Sequence, residues 1–232
     1  MNGTALVTGA SRGIGRRVAE RLAQDGMRVL CAVRRVESAP RLSGGEALAL
    51  DVAAPSSIAA LVDDLSARGE RLDVLVNNAG VYRAPRRQVW DVNVRGPWLL
   101  TRGLASQLVD GARVVMVSSG LAVGGADAAL KKRLDAIDVE DDGFGALADA
   151  APGGYSASKA ALNRMAELFA AALAPRGIKV NAVSPGWVRT EMGGPGAPRS
   201  IDQGAASVLW GCRLGPRGPS GGFFEDGRTM GT

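Results

Sequence analysis

Tyr155 and Lys159 stand four residues apart in the run Tyr155-Ser-Ala-Ser-Lys159. On a helix that spacing puts both side chains on one face, about one turn apart, so a phenol and an ammonium reach one point. A free tyrosine, with a pKa of about 10, moves protons poorly near neutrality. An adjacent cation stabilises the phenolate, and each unit of lowering corresponds to about 1.4 kcal/mol. The neutral phenol can instead give its proton to an alkoxide forming as hydride reaches a carbonyl carbon. Ser119, just beyond the valine-rich run Arg113–Val117, can hydrogen-bond the same oxygen. Alone, Tyr-x-x-x-Lys is a weak signal that ordinary helix polarity also produces.

A second cluster suits an anion. Gly9, Gly13 and Gly15 fall where an apolar run gives way to a helical stretch. Bare glycines there let the chain turn tightly and let backbone N–H groups approach a pyrophosphate at a helix N-terminus. The spacing is T-G-x-x-x-G-x-G, so the dinucleotide fingerprint G-x-G-x-x-G is matched in context rather than in letter. An NAD site usually places an acid near the end of the second strand to hold the ribose 2′-hydroxyl. Here that strand ends Ala32-Val33-Arg34-Arg35, and Arg12 sits in the glycine loop. Guanidinium groups pair with a 2′-phosphate whereas a carboxylate repels it, so NADPH is expected over NADH. The plainer reading, that Arg34 and Arg35 only solvate a strand end, stays open. Asp51 has two readings, as an acceptor for an adenine amine or as the cap of a turn.

These groups need a frame that brings residues 9, 119 and 155 together. Thr4–Val7 reads as a strand running into the glycine loop, followed by a helix over Ile14–Gln24 with Ile14, Val18 and Leu22 on one face. Arg28–Val33, Ala47–Leu50, Val74–Val76, Arg113–Val117 and Lys179–Val183 read as further strands. Ile58, Leu61, Val62 and Leu65 mark a helix after Pro55, and a long Ala-rich helix runs from about Tyr155 to Ala174. Continuously apolar strands between helices mean a parallel sheet covered on both faces. Right-handed crossovers then give a doubly wound Rossmann sheet in three α/β/α layers, with ligands outside the carboxyl ends of its strands.

No linker or repeat divides residues 1–232, which are expected to form one domain. One segment breaks the rhythm: between Ser119 and Tyr155 lie 35 residues, and Ala126–Ala150 carries seven acidic side chains against three basic ones. Leu130, Leu134 and Ile137 predict an amphipathic helix over part of it. It reads as an insertion at about 121–152, serving as a solvated excursion, a pocket wall or a cover over a dimer face.

Composition removes whole classes of chemistry. There is no histidine, which excludes Ser-His-Asp hydrolysis, His-ligated zinc and every histidine base. The two cysteines, Cys31 and Cys212, give no metal spacing, so no metal site and no disulfide framework is expected, and a reducing compartment fits best. No apolar run approaches the roughly 18 residues of a membrane span. The start MNGTALVTGA lacks the basic flank of a signal peptide, so a cytoplasmic location with no membrane partner is expected. The net charge of +5 comes from 24 Arg and 4 Lys scattered through the chain. With no recognition helix and no aromatic-basic motif, no nucleic-acid partner is expected.

Taken together, the motifs resemble the short-chain dehydrogenases/reductases. The matching pieces are Thr8-Gly-Ala-Ser-Arg-Gly-Ile-Gly15, Asp51-Val52, Asn77-Asn-Ala-Gly80, Asn93, Ser118-Ser119, Tyr155-x-x-x-Lys159 and Pro185-Gly186, in family order and over nearly the whole chain. The resemblance implies a tetrad of Asn93, Ser119, Tyr155 and Lys159, in which Asn93 would hold a water linking Lys159 to solvent. A helix-kinking asparagine is the plainer role, and the two are compatible. The resemblance also implies cofactor contacts from Ser11, Ile14 and Val52, from Asn78, Ala79 and Gly80 beside the ribose, and from Tyr155 and Lys159 themselves. Pro185, Gly186, Val188 and Thr190 would border the nicotinamide.

The stretch Gly186-Trp-Val-Arg-Thr190, the Gly-rich Gly221-Gly-Phe-Phe224 strand and the long spacer before Tyr155 resemble the carbonyl-reductase branch. The spacer would lie where other members dimerise, so a monomer is favoured over a homo-oligomer. Two departures open the substrate side: only 12 residues separate Gly80 from Asn93, and the loop after Thr190 is brief, ending at a helix near Ser200. The leading expectation is an NADPH-dependent reductase of an aldehyde, ketone or quinone, with Leu121, Val123, Trp187 and Met192 as candidate pocket residues or, alternatively, as core. Oxidation of a secondary alcohol by the same residues, and a cofactor-sensing binding protein on the same fold, are the alternatives.

Overall fold

The computed structural model describes residues 3–231. Its strands are β1 (Thr4–Thr8), β2 (Arg28–Val33), β3 (Glu46–Ala49), β4 (Leu72–Asn77), β5 (Leu108–Val117), β6 (Lys179–Ser184), β7 (Phe223–Glu225) and β8 (Arg228–Thr229). Its helices are α1 (Gly13–Gln24), α2 (Pro55–Ala67), α3 (Arg86–Trp90), α4 (Gly96–Gly103), α5 (Ala128–Asp135), α6 (Gly143–Ala150), α7 (Tyr155–Leu173) and α8 (Ile201–Cys212). The strands form one sheet in the order β3-β2-β1-β4-β5-β6-β7-β8, parallel except for the β7–β8 hairpin. The chain winds outward from β1 to β3 and then restarts at β4 on the other side of β1. That reversal opens a crevice at the carboxyl ends of β1 and β4, the usual place for a ligand on a doubly wound sheet.

Each face of the sheet has its own apolar core. On one side Val18 and Leu22 of α1 and Val208 and Leu209 of α8 pack on Val7, Val29 and Val76. On the other, Leu61 and Leu65 of α2, Trp98 of α4 and Leu162, Met165 and Phe169 of α7 pack on Leu6, Leu30, Leu75 and Val114. The strands carry valine, leucine and alanine at successive positions because both their faces are covered. Local signals set the helix ends. Pro55 supplies the first turn of α2, and Ser200 with Gln203 forms a reciprocal capping box at the start of α8.

Two features differ from what sequence spacing predicts. β5 begins at Leu108, five residues earlier than expected, because Asp110-Gly111 forms an irregularity within the strand instead of a turn; Gly111 has φ +78 and the register with β4 shifts there. The segment between β5 and α7 holds two helices rather than one. Leu130 and Leu134 are buried on α5 as predicted, and Ile137 falls just beyond its end. The second helix, α6, is concealed in the sequence by Gly143, Gly145 and the flanking acids.

A solvated excursion does not describe this segment. Phe144 is fully buried with its ring 5.1 Å from that of Trp98, whose Nε1 donates to Asp142 at 3.2 Å. Arg87 and Arg95 both pair with Asp149 on α6, and Trp90 donates to the Gly153 carbonyl at 2.8 Å. Five of these contacts come from the α3–α4 stretch, so α6 is pinned along it. Among the described residues no helix is long and apolar enough to cross a membrane.

Candidate active site

The glycine loop leaves β1 under tight control. Gly9 has φ +66, and a Cβ on it would lie 3.0 Å from both Ala79 Cα and the Asn78 amide nitrogen. A side chain on Gly15 would strike the same amide and the Gly9 carbonyl. Thr8 ties the crevice shut from beneath: its hydroxyl donates to the Val76 carbonyl and accepts from the amides of Asn78 and Ala79 at 2.9 and 3.0 Å. The Asn78 side chain donates back to the Thr8 carbonyl at 2.8 Å, so Asn78 braces the glycine loop, with Ala79 and Gly80 following it along the crevice. Thr8 and the brace are invisible to spacing arguments, since nothing in the sequence signals a contact between residues 8 and 78.

Above that floor, α1 presents an open N-terminus. Arg12 occupies the capping position with no side-chain cap, and the first turn carries no acid. Ser11 and Ile14 lie in the same turn, and a Cβ on Gly13 would meet only Thr190, at 3.5 Å. Unsatisfied N–H groups with the positive helix end behind them suit a pyrophosphate. Beside them a cavity of about 240 Å³ is lined by Ser11, Arg12, Arg34, Arg35 and Ser38, three guanidiniums and two hydroxyls with no carboxylate in the lining. This donor set fits a phosphorylated dinucleotide. Arg12 is shared, however: its guanidinium also pairs with Glu191 across the crevice. Asp51 lies past the end of β3, exposed, with Oδ1 accepting from Ala53 N at 3.0 Å; that is the turn-capping arrangement. Val52 is half-buried, its carbonyl crowding Gly96.

The tetrad residues come together at the carboxyl ends of β4, β5 and the start of α7. Lys159 is buried and its Nζ donates to the Val117 carbonyl at 2.8 Å, standing 5.6 Å from the centre of the Tyr155 ring. The Ser119 hydroxyl accepts from Leu121 N at 3.2 Å and stands beside the Tyr155 phenol, whose ionisation it favours. Asn93 is fully buried in a π-turn, Asp91–Arg95, that joins α3 to α4. Its amide gives both hydrogens away, to the Val81 carbonyl and to Ser158, while its oxygen accepts from Val81 N. Both amide hydrogens of Asn93 are therefore engaged within the protein.

In the chain without a nicotinamide, burial dominates the electrostatics of the site. Burial, first, holds Tyr155 above the usual phenol range; Ser119 works against that and the nearby Tyr82 adds to it. In the chain by itself the phenol is neutral, the proton-donating form. Burial also pushes the Lys159 ammonium down to about 8. An unfolded chain keeps that proton up to about 10.4. Between those values the unfolded state binds more protons, so stability rises with pH. Wild type is thus expected to gain stability relative to Lys159→Met between pH 8 and 10 in urea titrations, and parallel pH profiles for the two proteins would contradict this burial. Burial pushes the thiols of Cys31 and Cys212 up to about 11 and about 12, so neither is a nucleophile near neutrality.

The loop after β6 completes the crevice. Gly186 has φ +75 and rests on the Arg199 side chain, and Arg199 N donates to the Trp187 carbonyl at 3.2 Å. Arg199 grips both oxygens of Asp226 at 2.6 and 2.8 Å, while Glu225 takes the Ser184 hydroxyl at 2.6 Å and that hydroxyl accepts from Gly186 N. The loop from Pro185 to Thr190 is therefore clipped to the β7–β8 hairpin, a function of Arg199 and Asp226 that sequence reading does not reveal. Val188 is buried between this clip and Gly204, and Thr190 faces the start of α1. Leu121, Val123, Trp187 and Met192 are not core: all four are about half exposed on segments that follow β5 and β6. A larger cavity, about 330 Å³, lies under Met27, Arg113 and Leu214 at the amino ends of β4 and β5, remote from these groups.

Comparison with known proteins agrees with this arrangement. A family model described as short chain dehydrogenase matches residues 3–129, and one described as enoyl-(acyl carrier protein) reductase matches residues 145–210. An uncharacterised oxidoreductase of Methylorubrum extorquens is 35% identical over 205 residues, covering 81% of this chain and 73% of the relative. The 3-oxoacyl-acyl-carrier-protein reductase of Escherichia coli is 34% identical over 202 residues, covering 81% and 74%. Among solved structures, salutaridine reductase from Papaver somniferum superposes with a TM-score of 0.82 at 25% identity, covering 97% of this chain and 99% of that one. A Burkholderia cenocepacia short chain dehydrogenase in complex with NADP gives 0.74 at 30% identity over 95% and 94%.

Proposed function

The chain belongs to the short-chain dehydrogenase/reductase family, and from that membership we propose that it is an NADPH-dependent reductase of an aldehyde, ketone or quinone carbonyl. The observation that carries the reading is the Tyr155 ring beside Ser119, with the buried Lys159 ammonium 5.6 Å from the ring centre and held by the Val117 carbonyl. The choice of NADPH is supported by the cavity of three arginines and two serines beside the glycine loop, where an acid would be needed to favour NADH. When bound, the cofactor supplies the hydride.

The rest is work for the protein. Tyr155 and Ser119 together cradle the carbonyl oxygen, two hydroxyls aimed at the point where negative charge develops. Tyr155 releases its proton to that oxygen as the alkoxide forms, and Lys159, fixed by the Val117 carbonyl, stabilises the phenolate left behind. Asn93 holds a water that links Lys159 to solvent, so that Tyr155 is reprotonated. Leu121, Trp187 and Met192 line the substrate's side of the crevice. Loss of NADPH absorbance with a panel of aldehydes, ketones and quinones tests the reading; NADPH binding with no turnover on any of them would overturn it in favour of a cofactor-sensing protein.

The fold also supports a monomer. Helix α6, anchored through Phe144 and Asp149, lies along the α3–α4 stretch that would otherwise be free to meet another copy. Light scattering at micromolar concentration is expected to give the mass of one chain, 23.8 kDa, and a stable tetramer would refute it.

A further inference from the structure

The chain contains two tyrosines, and they meet at the site. Tyr82, on the loop between β4 and α3, sets its ring edge-to-face with Tyr155, centroids 4.8 Å apart and planes at 76°. The Arg83 guanidinium lies over the Tyr82 ring, 5.8 Å from its centre, so the ring is held from two directions. Yet Tyr82 keeps 40% of its surface exposed. Among the described residues, the other large apolar side chains left exposed are Val36, Leu121, Val123, Trp187 and Met192, and every one follows the carboxyl end of a strand. Five of the six stand on the segments after β4, β5 and β6, around Ser119 and Tyr155. Exposed apolar residues gathered on one edge mark a surface that an apolar ligand covers.

Resting on the reductase reading above, we propose that Tyr82 determines substrate specificity: its exposed ring is the wall of the carbonyl site and favours flat aromatic or conjugated carbonyl compounds over small saturated ones. A carbonyl oxygen held by Tyr155 and Ser119 leaves the body of the substrate within reach of a ring centred 4.8 Å from that of Tyr155. A planar π-system can stack on the free part of that ring and against Trp187, and saturated chains cannot use either face as well. Leu121, Val123, Trp187 and Met192 are uncharged, so the body of the preferred substrate is uncharged as well. Tyr82 also covers one side of the Tyr155 ring, edge to face.

The test compares Tyr82→Phe, Tyr82→Leu and Tyr82→Ala at saturating NADPH on an aromatic ketone and a small aliphatic ketone. The ratio of aromatic to aliphatic kcat/KM is expected to fall about ten-fold in Tyr82→Ala and Tyr82→Leu, mainly through KM, and to be restored in Tyr82→Phe. A retained ratio in Tyr82→Leu would show that bulk rather than a ring face is used, and a lowered ratio in Tyr82→Phe would show that the hydroxyl is; either result overturns the proposal. Phenol titration without cofactor adds a readout that does not depend on turnover: Tyr155 is expected to ionise at lower pH in Tyr82→Ala than in Tyr82→Phe, because water then reaches it. Equal midpoints would mean that the ring does not cover Tyr155. The groups facing Tyr155 in that titration are Lys159 and Ser119, with Tyr82 and Arg83 on the adjoining loop. If wild type turns over neither ketone nor any other carbonyl, the reductase reading falls and this one with it. Turnover with an unchanged ratio in the Tyr82 variants removes the role of Tyr82 alone.

Discussion

Tyr155→Phe is expected to lower kcat by about a thousandfold or more while NADPH binding stays within about twofold of wild type. The substitution removes one hydroxyl and keeps the ring, so the edge contact with Tyr82 and the position of Lys159 beside the ring survive. What is lost is the proton donor. Ser119 remains, but a serine hydroxyl is far too weak an acid to replace a phenol, and Lys159 is held against the Val117 carbonyl. A positioned general acid contributes roughly 10² to 10⁴ in rate, and here the hydroxyl also helps to orient the carbonyl. Stopped-assay rates on any accepted carbonyl, with NADPH affinity from fluorescence, check both halves. A variant as fast as wild type would mean that another group supplies the proton.

The second large effect concerns the cofactor. Arg34→Asp is expected to lower the ratio of NADPH to NADH kcat/KM by about 10² to 10³, enough to reverse the preference. Charge-assisted hydrogen bonds are worth about 1.5–3 kcal/mol each, and the new carboxylate would repel a 2′-phosphate while accepting a ribose hydroxyl. Arg34 is exposed, so salt screens part of the effect, and the shift should shrink as ionic strength rises. Arg35 limits the change from one side. Arg12 limits it less, because its guanidinium is already engaged by Glu191. An unchanged preference would leave Arg34 as a solvated strand end.

The frame and the reacting groups were legible because they are local in the sequence. Periodicity exposes β1, β2, β6 and α7, and one helical turn links Tyr155 to Lys159. Three glycines at a strand–helix junction announce a phosphate cradle wherever they occur. The features that could not be read depend on contacts between distant residues. Thr8 gains its role from residues 76 to 79, Asn78 gives its amide to the glycine loop, and Arg199 meets Asp226 only in the folded chain. Tyr82 belongs to no motif, and its importance lies wholly in the ring it faces. Spacing likewise reveals a charge near Tyr155 but not how far the fold withdraws the phenol from water. Helix α6 escaped notice because two glycines and an acidic run imitate a loop, while the partner that stabilises it, Trp98, is far away in the chain.

The clip between Arg199 and the β7–β8 hairpin bears on the order in which the molecule matures. A chain emerging from the ribosome can assemble the glycine loop, α7 and most of the sheet before Asp226 has been made. Until then the segment from Pro185 to Thr190 lacks the carboxylate that anchors it, so competence to hold a cofactor in register waits for that hairpin. A nascent chain halted before that hairpin would be largely folded and still idle.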